Sequence, residues 1–399
     1  MKKTVLLLVL MSLLCSVFAQ STLKIMAYNL LKFPEALPVN REDTLAKILN
    51  EYEIDILGVS ELMNSTGSNA ILNKSLNVGT SKYRAASYTP ATFGDLQQML
   101  YYNSDKLALY SQDTIQSNTR DFNKYILYPL TQELEKGDTI FLDVYVCHLK
   151  AGQNADDSIK RIRNVQYLIN NLAQETQGRN RVLMGDLNLY TSGEEAYQLL
   201  TSGVQNYFND PISKEGNWHN NAIYKEVFTQ STRSSQLFGE GAGGGVDDRF
   251  DFVLVSNSLM DLNNDIFYKE NTYEALGNNG TCFNKSITDC DQGNSLLTSL
   301  YNMSDHLPVV AELALKDTDF ISDIEVSINK PNAWLDNMGR WNINLGEPSE
   351  FVVYNSLGQV VLRSIESSKE HLVQQTTSMS NGVYFVYFSS SREYIKVSF

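Results

Sequence analysis

Polar side chains follow short apolar segments at several points in the first three quarters of the chain. In "VLMGDLNLY" (182–190), three apolar residues lead into Gly185 and then to Asp186 and Asn188. One acid or amide at the end of a strand is usually a turn or capping residue, and a lone histidine is usually structural. Because the pattern recurs, it predicts a shared site instead. The other members of the set are Asn29, Glu61, His148, Asp251, Asp305 and His306.

The oxygen-bearing members of this set predict a site for a hard divalent cation. Asn29, Glu61 and Asp305 offer amide and carboxylate oxygens without cysteines or clustered histidines beside them. Such ligands favour Mg²⁺, with Mn²⁺ or Ca²⁺ as alternatives. A cation held there would polarise a phosphoryl oxygen and offset charge on a leaving group. The predicted chemistry is therefore hydrolysis of a phosphoester.

The remaining members fit the proton transfers of that reaction. Asp186 could orient and deprotonate an attacking water, and Asn188 could hydrogen-bond the same water or a phosphate oxygen. An imidazole held by a carboxylate, His306 by Asp251, would stay charged and stabilise the transition state. These residues predict metal-assisted attack of water on phosphorus.

The elements that must position these residues are short strands and amphipathic helices. Apolar residues alternate in "TLKIMAYNLL" (22–31), which predicts a strand ending at Asn29. Helical spacing marks "DSIKRIRNVQYLINNLA" (157–173), with Asp157 or Ser158 as its N-cap. This alternation predicts a mixed or antiparallel sheet core covered by helices, with the polar strand ends at one edge.

The glycine-rich segment "GEGAGGGVDD" (239–248) predicts a mobile loop running into the strand of Asp251. A phosphate-cradling loop is the alternative, but no helix follows to offer its N-terminus. No apolar loop beside the site is apparent in the sequence.

Composition and charge limit the partners. The 399 residues suffice for two or three domains, and 43% hydrophobic residues describe an ordinary globular protein. The formal net charge of -14 opposes strong non-specific binding to a polyanion, because that binding rests on many Lys and Arg contacts. Phosphate chemistry would therefore need a local cation such as a bound metal.

The first residues have the features of a secretory signal peptide. Lys2 and Lys3 precede an apolar stretch that ends in small residues, which predicts cleavage after Ala19. Cleavage would remove two positive charges and change the net charge from -14 to -16. A lipoprotein signal would use Cys15, but Leu14 is too large for that cleavage. No later segment reaches the ~18 apolar residues of a membrane span, so we expect an exported protein without a transmembrane segment.

The cysteines fit an oxidising compartment. Cys147 lies in the apolar segment "IFLDVYVCHL" and is expected to be a buried thiol. Cys282 and Cys290 belong to one polar loop, which favours a loop-closing disulfide. A metal site is the weaker interpretation there, because no histidine or third cysteine lies near.

The character of the sequence changes after about Thr318. Short β stretches with turn signals follow, and Asn381-Gly382 before an aromatic and β-branched run is typical of a hairpin. His371 is isolated there, without an acidic cluster. We expect a small all-β module without visible chemistry.

The segments "MAYNLL", "GVSEL", "HLKAG", "GDLNLY", "RFDFVL" and "SDHLPV" resemble, in order and spacing, the motif set of the endonuclease/exonuclease/phosphatase superfamily. The resemblance covers roughly residues 22–316. It implies an α/β fold of the DNase I-like type, a four-layered sandwich of two mixed sheets with helices outside. It also implies a hydrolase of phosphoric ester bonds.

The resemblance assigns roles to the residues that match its motifs. Glu61 becomes a metal ligand, with Asn29 and Asp305 close to the metal. His148 and His306 become the histidines that contact phosphate.

The same resemblance assigns the nucleophilic water to Asp186 and Asn188, with Asn188 also binding phosphate. Asp251 becomes the partner of His306. Arg120, in "TRDFNKY", matches a phosphate-contacting arginine of some members.

Two positions depart from the pattern of the superfamily. Many members have Gln before the metal-binding acid, where this chain has Ser60 before Glu61. Nuclease members hold the first histidine with a Glu upstream of the "MLYYN" strand. Here the nearest acid is Asp95, one residue out of register, so no partner of His148 is assigned.

The end of the chain resembles the C-terminal sorting domain of type IX secretion, in "VYNSLGQVV" and "MSNGVYFVYFSSSREYIKVSF". Its usual opening motif is absent, "INKPNAW" being the closest text, and a β-sandwich adhesion module is the alternative. The predicted domains are a signal peptide (1–19), a catalytic domain (20–316) and a sorting domain (317–399). The type IX secretion machinery is the expected partner, and the expected location is outside the cell or on its surface.

The leading functional hypothesis is an extracellular endonuclease acting on nucleic acid without strong sequence specificity, as a monomer. The alternative within the same chemistry is a phosphodiesterase or phosphatase acting on small phosphoesters or lipid head groups, such as a sphingomyelinase-like enzyme. A catalytically inactive binding protein on the same fold is the alternative from another class. It is disfavoured because no position of the acid, amide and histidine set is replaced.

Overall fold

The structure is a computed structural model that describes residues 21–202, 207–316 and 318–321, and in the C-terminal part 332–335, 341–344, 350–365, 372–374, 383–388 and 393–398. The chain divides into two compact units, residues 1–321 and 322–399. The predicted signal peptide, His371 and the Asn381-Gly382 turn lie outside the described residues. The domain limits predicted from the sequence therefore stay predictions.

Strands and helices alternate through the first unit. Its described strands are β1 (Thr22–Phe33), β2 (Ile56–Leu62), β3 (Tyr83–Ala85), β4 (Gln97–Asn103), β5 (Leu107–Ile115), β6 (Phe122–Pro129), β7 (Leu142–His148), β8 (Asn180–Asp186), β9 (Asp251–Val255), β10 (Ile266–Tyr268), β11 (Glu274–Ala275) and β12 (Val309–Leu315). Its described α-helices are α1 (Arg41–Tyr52), α2 (Ser65–Ala70), α3 (Ala155–Leu172), α4 (Glu195–Thr201), α5 (Asn257–Met260) and α6 (Ser295–Met303). Shorter helical turns cover Ile71–Leu76, Gln132–Lys136, Ala222–Tyr224 and Ile287–Asp289.

These strands form two mixed sheets that face each other. The first has the order β10-β12-β1-β2-β4-β3, with β11 also pairing with β12, and the second has the order β5-β6-β7-β8-β9. Strands β1 and β2 are parallel, as are β7 and β8, and the other pairs in these sheets are antiparallel. β1 and β2 contact β7 and β8 across the interface, while α1 packs against α6 and α3 against α4. The predicted α/β sandwich is confirmed.

Helix α3 shows how the local sequence sets an element. Its buried side chains include Arg161, Val165, Leu168 and Leu172, which form one stripe at helical spacing. The predicted N-cap at Asp157 or Ser158 is wrong. The helix begins earlier because the side chain of Asn154 accepts a hydrogen bond from the backbone N–H of Asp157, so Asp157 lies in the first turn, where its charge suits the helix dipole.

Strand β1 continues beyond its predicted end at Asn29. Asn29 is paired with Ser60 and Phe33 with Leu62, so β1 carries extra residues between these two pairs. Leu31 and Lys32 have positive φ angles within this bulge. A bulge bends its strand and turns side chains that a regular ladder would leave on the sheet face, and here it lies beside the polar strand ends.

A fully buried ion pair fixes the start of β9. Arg249 donates two hydrogen bonds to Asp210, at 2.7 and 2.9 Å, and neither side chain is exposed to solvent. The guanidinium also lies over the ring of Phe252, at 4.4 Å from its centroid. Because Asp251 stands between Arg249 and Phe252, this pair anchors the segment that carries it.

The second unit is all β in its described residues. A three-stranded sheet contains β13 (Asn332–Leu335), β14 (Trp341–Asn344) and β17 (Leu372–Gln374), and a four-stranded sheet contains β15 (Glu350–Asn355), β16 (Val360–Ile365), β18 (Val383–Phe388) and β19 (Glu393–Ser398). All pairs are antiparallel. Phe351, Val353 and Val386 are buried in the four-stranded sheet. The predicted all-β character is confirmed.

The described cysteines comprise one disulfide and one free thiol. Cys282 and Cys290 form a disulfide and Cys147 is a buried free thiol, so both cysteine predictions are confirmed. None of the helices in the described part of the chain combines the length and apolar character of a membrane-crossing segment.

The ion pair at Arg249 can be tested by stability. Asp210→Asn leaves the guanidinium buried without its counter-charge, which costs about 3–5 kcal/mol of unfolding free energy, measured by urea denaturation. Glu312→Gln is the matched control, because Glu312 bonds Lys269 at the same 2.7 Å but that lysine is 45% exposed. A pair of this kind contributes about 0–1 kcal/mol. Equal losses in the two variants would contradict the structural role of Asp210.

Candidate active site

The strand order brings the predicted residues to one edge of the two sheets. In the second sheet, Asp186 at the end of β8 is paired with His148 of β7 and with Asp251 of β9. In the first sheet, parallel β1 and β2 place Asn29 and Glu61 at the same end. Both members of each parallel pair therefore end at this edge.

The side chain of Asn29 joins the two sheets. Its Nδ2 donates to Glu61 Oε1 at 3.1 Å and to Asp186 Oδ2 at 3.0 Å, and lies 3.4 Å from Nε2 of His306. Its Oδ1 accepts a hydrogen bond from the backbone of Leu31 in the β1 bulge. Asn29 is fully buried, so this amide is held with little freedom between two carboxylates.

Asp186 lies at the centre of the cluster. Its Oδ1 accepts the backbone N–H of Asn188 at 2.9 Å, and its Oδ2 lies 3.6 Å from Nε2 of His148 and 3.8 Å from Nε2 of His306. Burial raises the pKa of Asp186 to about 8, although the charge of His306 acts in the opposite direction. Gly185 is required before it, because a Cβ there would lie 2.0 Å from the carbonyl oxygen of Cys147.

His306 is held between a carboxylate and an amide. Its Nδ1 lies 2.7 Å from Oδ2 of Asp251, as predicted for this pair, and its Nε2 lies 2.6 Å from Nε2 of Gln230. Burial lowers the pKa of His306, but Asp251 and Asp186 together raise it well above its ordinary value. His306 is therefore the histidine that carries charge.

Gln230 was not predicted from the sequence. Its amide also donates to Asp305 Oδ2 at 3.3 Å, and its backbone pairs with both Asp248 and His306. Because the two ends of an amide exchange by rotation, Gln230 can donate to a neutral imidazole or accept from a charged one. It lies in the loop segment "FTQSTRS", where no periodicity or strand end marks it.

His148 differs from His306 in its environment. Burial lowers the pKa of His148 well below its ordinary value, and the charges of Arg120 and His306 lower it further. Its Nδ1 is buried and has no hydrogen-bond partner among the described residues, while Asp95 is exposed. The described part of the chain therefore supplies no carboxylate partner for Nδ1, and the lowered pKa favours the neutral form of His148.

Arg120 lies at the margin of the cluster. It is half-buried, and its charge is near enough to lower the pKa of His148. Like Asn29 and Asp251, it does not line the pocket described below. Its predicted contact with phosphate stays a prediction.

A pocket of about 310 Å³ opens over the cluster. It is lined by Glu61, His148, Asp186, Asn188, Asp305 and His306, and also by the loop that includes Gly239 and Gly241. A larger cavity of about 410 Å³ lies beside Arg179 and Arg181, but these guanidiniums are paired with Asp143 and Glu175. The titratable groups suited to catalysis are therefore in the smaller pocket.

The donors around this pocket fit a divalent cation. Single ligand atoms of Asp186, Asp251 and His306 lie within 4.8 Å of one another, although Asp251 is already engaged with His306. Oδ1 of Asp305 is buried without a hydrogen-bond partner among the described residues. Burial and the charge of Asp305 raise the pKa of Glu61, so these carboxylates repel one another unless a cation offsets their charge.

The Asp251–His306 pair can be tested by histidine titration. Asp251→Asn removes a carboxylate that raises the pKa of His306, so we expect that pKa to fall. The measurement is NMR of the four histidine rings in chelator-treated protein, with His306→Gln to assign the signal. Asp95→Asn, a change at an exposed carboxylate, should leave every histidine signal in place. An unchanged His306 pKa in Asp251→Asn would contradict the assignment.

Solved structures share this fold at low identity. The matches cover about three quarters of this chain. TDP2 of D. rerio, complexed with single strand DNA product, has 12% identity over 74% of this chain and 99% of that one, with a TM-score of 0.50. The human Nocturnin catalytic domain with bound sulfate has 18% identity, 74% and 95% coverage and a TM-score of 0.48. An endonuclease/exonuclease/phosphatase family protein from Bacteroides thetaiotaomicron has 14% identity, 75% and 96% coverage and a TM-score of 0.47.

Two family models match the sequence. Residues 337–398 match the secretion system C-terminal sorting domain, which confirms the resemblance predicted for the end of the chain. No curated protein matches the sequence. Residues 26–306 match the endonuclease/exonuclease/phosphatase family, which is more than half of the chain. The chain therefore belongs to the endonuclease/exonuclease/phosphatase family, as a hydrolase of phosphoric ester bonds that carries a C-terminal sorting domain.

Proposed function

We propose that this protein is an exported, Mg²⁺-dependent phosphodiesterase that cleaves nucleic acid internally. The observation that carries the proposal is the convergence on Asp186 of Asn29, His148 and His306, from three separate parts of the chain. The sorting domain at residues 337–398 supports export. A nuclease without strong sequence specificity is consistent with action on nucleic acid outside the cell.

The proposed hydrolysis assigns the first proton transfer to Asp186. Its raised pKa makes its carboxylate a stronger base than an ordinary aspartate, which suits removal of a proton from an attacking water. Asn188 is fixed beside it, because its backbone donates to Asp186 and its side chain donates to the carbonyl of Leu149 at 3.1 Å. Asn188 would orient the water or a phosphate oxygen.

The two histidines would have different roles in binding the phosphate. His306, held charged by Asp251, would stabilise the negative charge that develops on the phosphoryl oxygens. His148, neutral, would contact a phosphate oxygen as a hydrogen-bond donor. Glu61 and Asp305 would hold the cation through their carboxylate oxygens. Asn29 was predicted as a ligand, but its Oδ1 accepts from Leu31 N and its Nδ2 donates to Glu61 and Asp186, so it would lie beside the cation and position these carboxylates. The chemistry that a bound cation supplies there is polarisation of a phosphoryl oxygen and neutralisation of charge on the leaving group.

The second candidate is hydrolysis of small phosphoesters or lipid head groups. The net charge of -14 keeps it open, because it disfavours a long polyanion. An inactive binding protein is a weaker candidate, since each predicted position around the pocket keeps its acid, amide or imidazole. We also propose that the protein is a monomer and that the type IX secretion machinery is its partner during export.

The catalytic roles can be tested by substitution. Asp186→Asn removes the base and His306→Gln removes the charged donor, so each should lower kcat by about 10²- to 10⁴-fold. The measurement is hydrolysis of bis-p-nitrophenyl phosphate with Mg²⁺, repeated after chelation, which should abolish activity in the unchanged protein. Asp95→Asn is the control and should keep full activity. Full activity of Asp186→Asn would overturn the proposed role of this carboxylate.

The substrate class can be tested with a panel. An endonuclease converts supercoiled plasmid to open and linear forms with Mg²⁺ and stops with a chelator. An enzyme for small esters leaves the plasmid intact while it hydrolyses bis-p-nitrophenyl phosphate, a sugar phosphate or a phospholipid. Intact plasmid and RNA beside rapid phospholipid hydrolysis would replace the nuclease by the second candidate.

A further inference from the structure

The glycine-rich segment near the pocket forms a hairpin rather than an open loop. In residues 233–245, called here the rim hairpin, Gly245 N donates to Arg233 O at 2.9 Å and Gly244 N donates to Ser234 O at 3.1 Å. Glu240 N donates to Leu237 O at 3.0 Å and closes the tip. The tip of the rim hairpin thus has one defined backbone path.

The rim hairpin is attached to the candidate active site. Ala242 N donates to Oδ2 of Asp305 at 2.6 Å, and a Cβ on Gly241 would lie 2.9 Å from the carboxyl carbon of that aspartate. Glu240 forms an ion pair with Lys32 of the β1 bulge at 3.0 Å. Movement of the rim hairpin would therefore displace Asp305 and the rim of the pocket together.

Phe238 is presented at the tip of this hairpin. Its side chain is 64% exposed, and its φ of 56° lies in the left-handed region that bulky residues rarely adopt. The next residues, Gly239 to Gly241, line the pocket. Backbone conformations of this kind cluster at binding and catalytic sites, so the position of Phe238 beside the pocket makes its ring a candidate for contact with substrate.

The charges around the pocket limit what the ring can bind. Lys32 is the only lysine or arginine among the described residues that line the pocket, and it is paired with Glu240. The whole chain has a net charge of -14. Beyond the lining, the charges of Arg120 and Lys150 are near enough to lower the pKa of His148, and Lys150 is paired with Asp157. Few unpaired cations are therefore available for contacts with phosphates along a nucleic acid strand, so another part of the nucleotide must supply much of the affinity.

From these observations we propose that Phe238 stacks on a nucleobase beside the scissile phosphate, so that single-stranded nucleic acid is cleaved in preference to a duplex. The inference rests on the proposed nuclease function. Stacking on an aromatic ring binds any base and needs no cation, and the faces of bases in a duplex are already occupied by their neighbours. A lipid surface fits less well, because Phe238 is the one exposed large apolar side chain of the rim hairpin, next to the half-buried Leu237. None of the exposed residues of the hairpin is basic, whereas basic residues are typical of interfacial segments.

The test compares Phe238→Ala and Phe238→Trp in the full chain with Mg²⁺. The substrates are a labelled single-stranded oligonucleotide, its duplex, and a strand of the same length with a run of abasic residues. We expect Phe238→Ala to raise KM for the base-bearing strand about tenfold, with a smaller effect on kcat, and to remove the preference over the abasic strand. Phe238→Trp should retain the preference. Tyr110→Ala, at an aromatic side chain of similar exposure (66%) outside the pocket, should behave as the unchanged protein.

Three outcomes would overturn the inference, and they can be told apart. Equal KM values for Phe238→Ala and the unchanged protein on the base-bearing strand would exclude stacking while leaving the nuclease function in place. Hydrolysis of bis-p-nitrophenyl phosphate without cleavage of any oligonucleotide would remove the nuclease function and the inference with it. Sedimentation with phosphatidylcholine vesicles that is lost in Phe238→Ala would assign the ring to a lipid surface. Thermal unfolding of each variant verifies that it is folded.

Discussion

One amide placed between the buried carboxylate of Asp186 and the half-buried carboxylate of Glu61 joins the two sheets at the candidate active site. Asn29 donates to Glu61 in its own sheet and to Asp186 in the facing sheet. Buried carboxylates near one another are costly, and one neutral donor reduces that cost without adding a positive charge that would compete with a metal. The bulge in β1 makes this possible, because it places the backbone N–H of Leu31 where it donates to Oδ1 of Asn29 and fixes the orientation of the amide.

The pKa values of the two histidines are shifted in opposite directions by the groups around them. His306 follows Asp305 and meets Asp251 at the beginning of β9, so a carboxylate lies against its Nδ1 at 2.7 Å. His148 ends β7, where the described residues supply no partner for Nδ1 and the charge of Arg120 is near. Pairs of titratable groups driven apart in pKa are typical of sites that need both a charged and a neutral donor.

Much of this site could be predicted because the ends of strands can be recognised in the sequence. Asp186 and Glu61 interrupt apolar runs, and parallel strand pairs bring such ends to one edge, so type and order were enough to group them. Gln230 was missed because it belongs to an irregular loop, where neither periodicity nor burial can be read from the sequence.

Other features depend on backbone geometry that composition does not encode. Phe238 was missed because the glycine-rich segment directly after it suggests only flexibility, whereas the backbone hydrogen bonds of Gly244 and Gly245 define a hairpin and Ala242 attaches it to Asp305. The cap of α3 was placed three or four residues late, at Asp157 or Ser158, because these residues and Asn154 are all good capping residues. The partner of His148 could not be assigned from Asp95, and the structure leaves Asp95 exposed.

The loop closed by the Cys282–Cys290 disulfide is connected to the rim hairpin by backbone hydrogen bonds. Val246, directly after the rim hairpin, exchanges backbone hydrogen bonds with the loop closed by this bridge, through Asn284 and Lys285. On the opposite arm of the hairpin, Thr232 O accepts from Ile287 N at 2.9 Å. Formation of the disulfide thus stabilises both arms of the rim hairpin. The entrance to the pocket is complete only after this bond has formed, and such bonds form in oxidising compartments outside the cytoplasm.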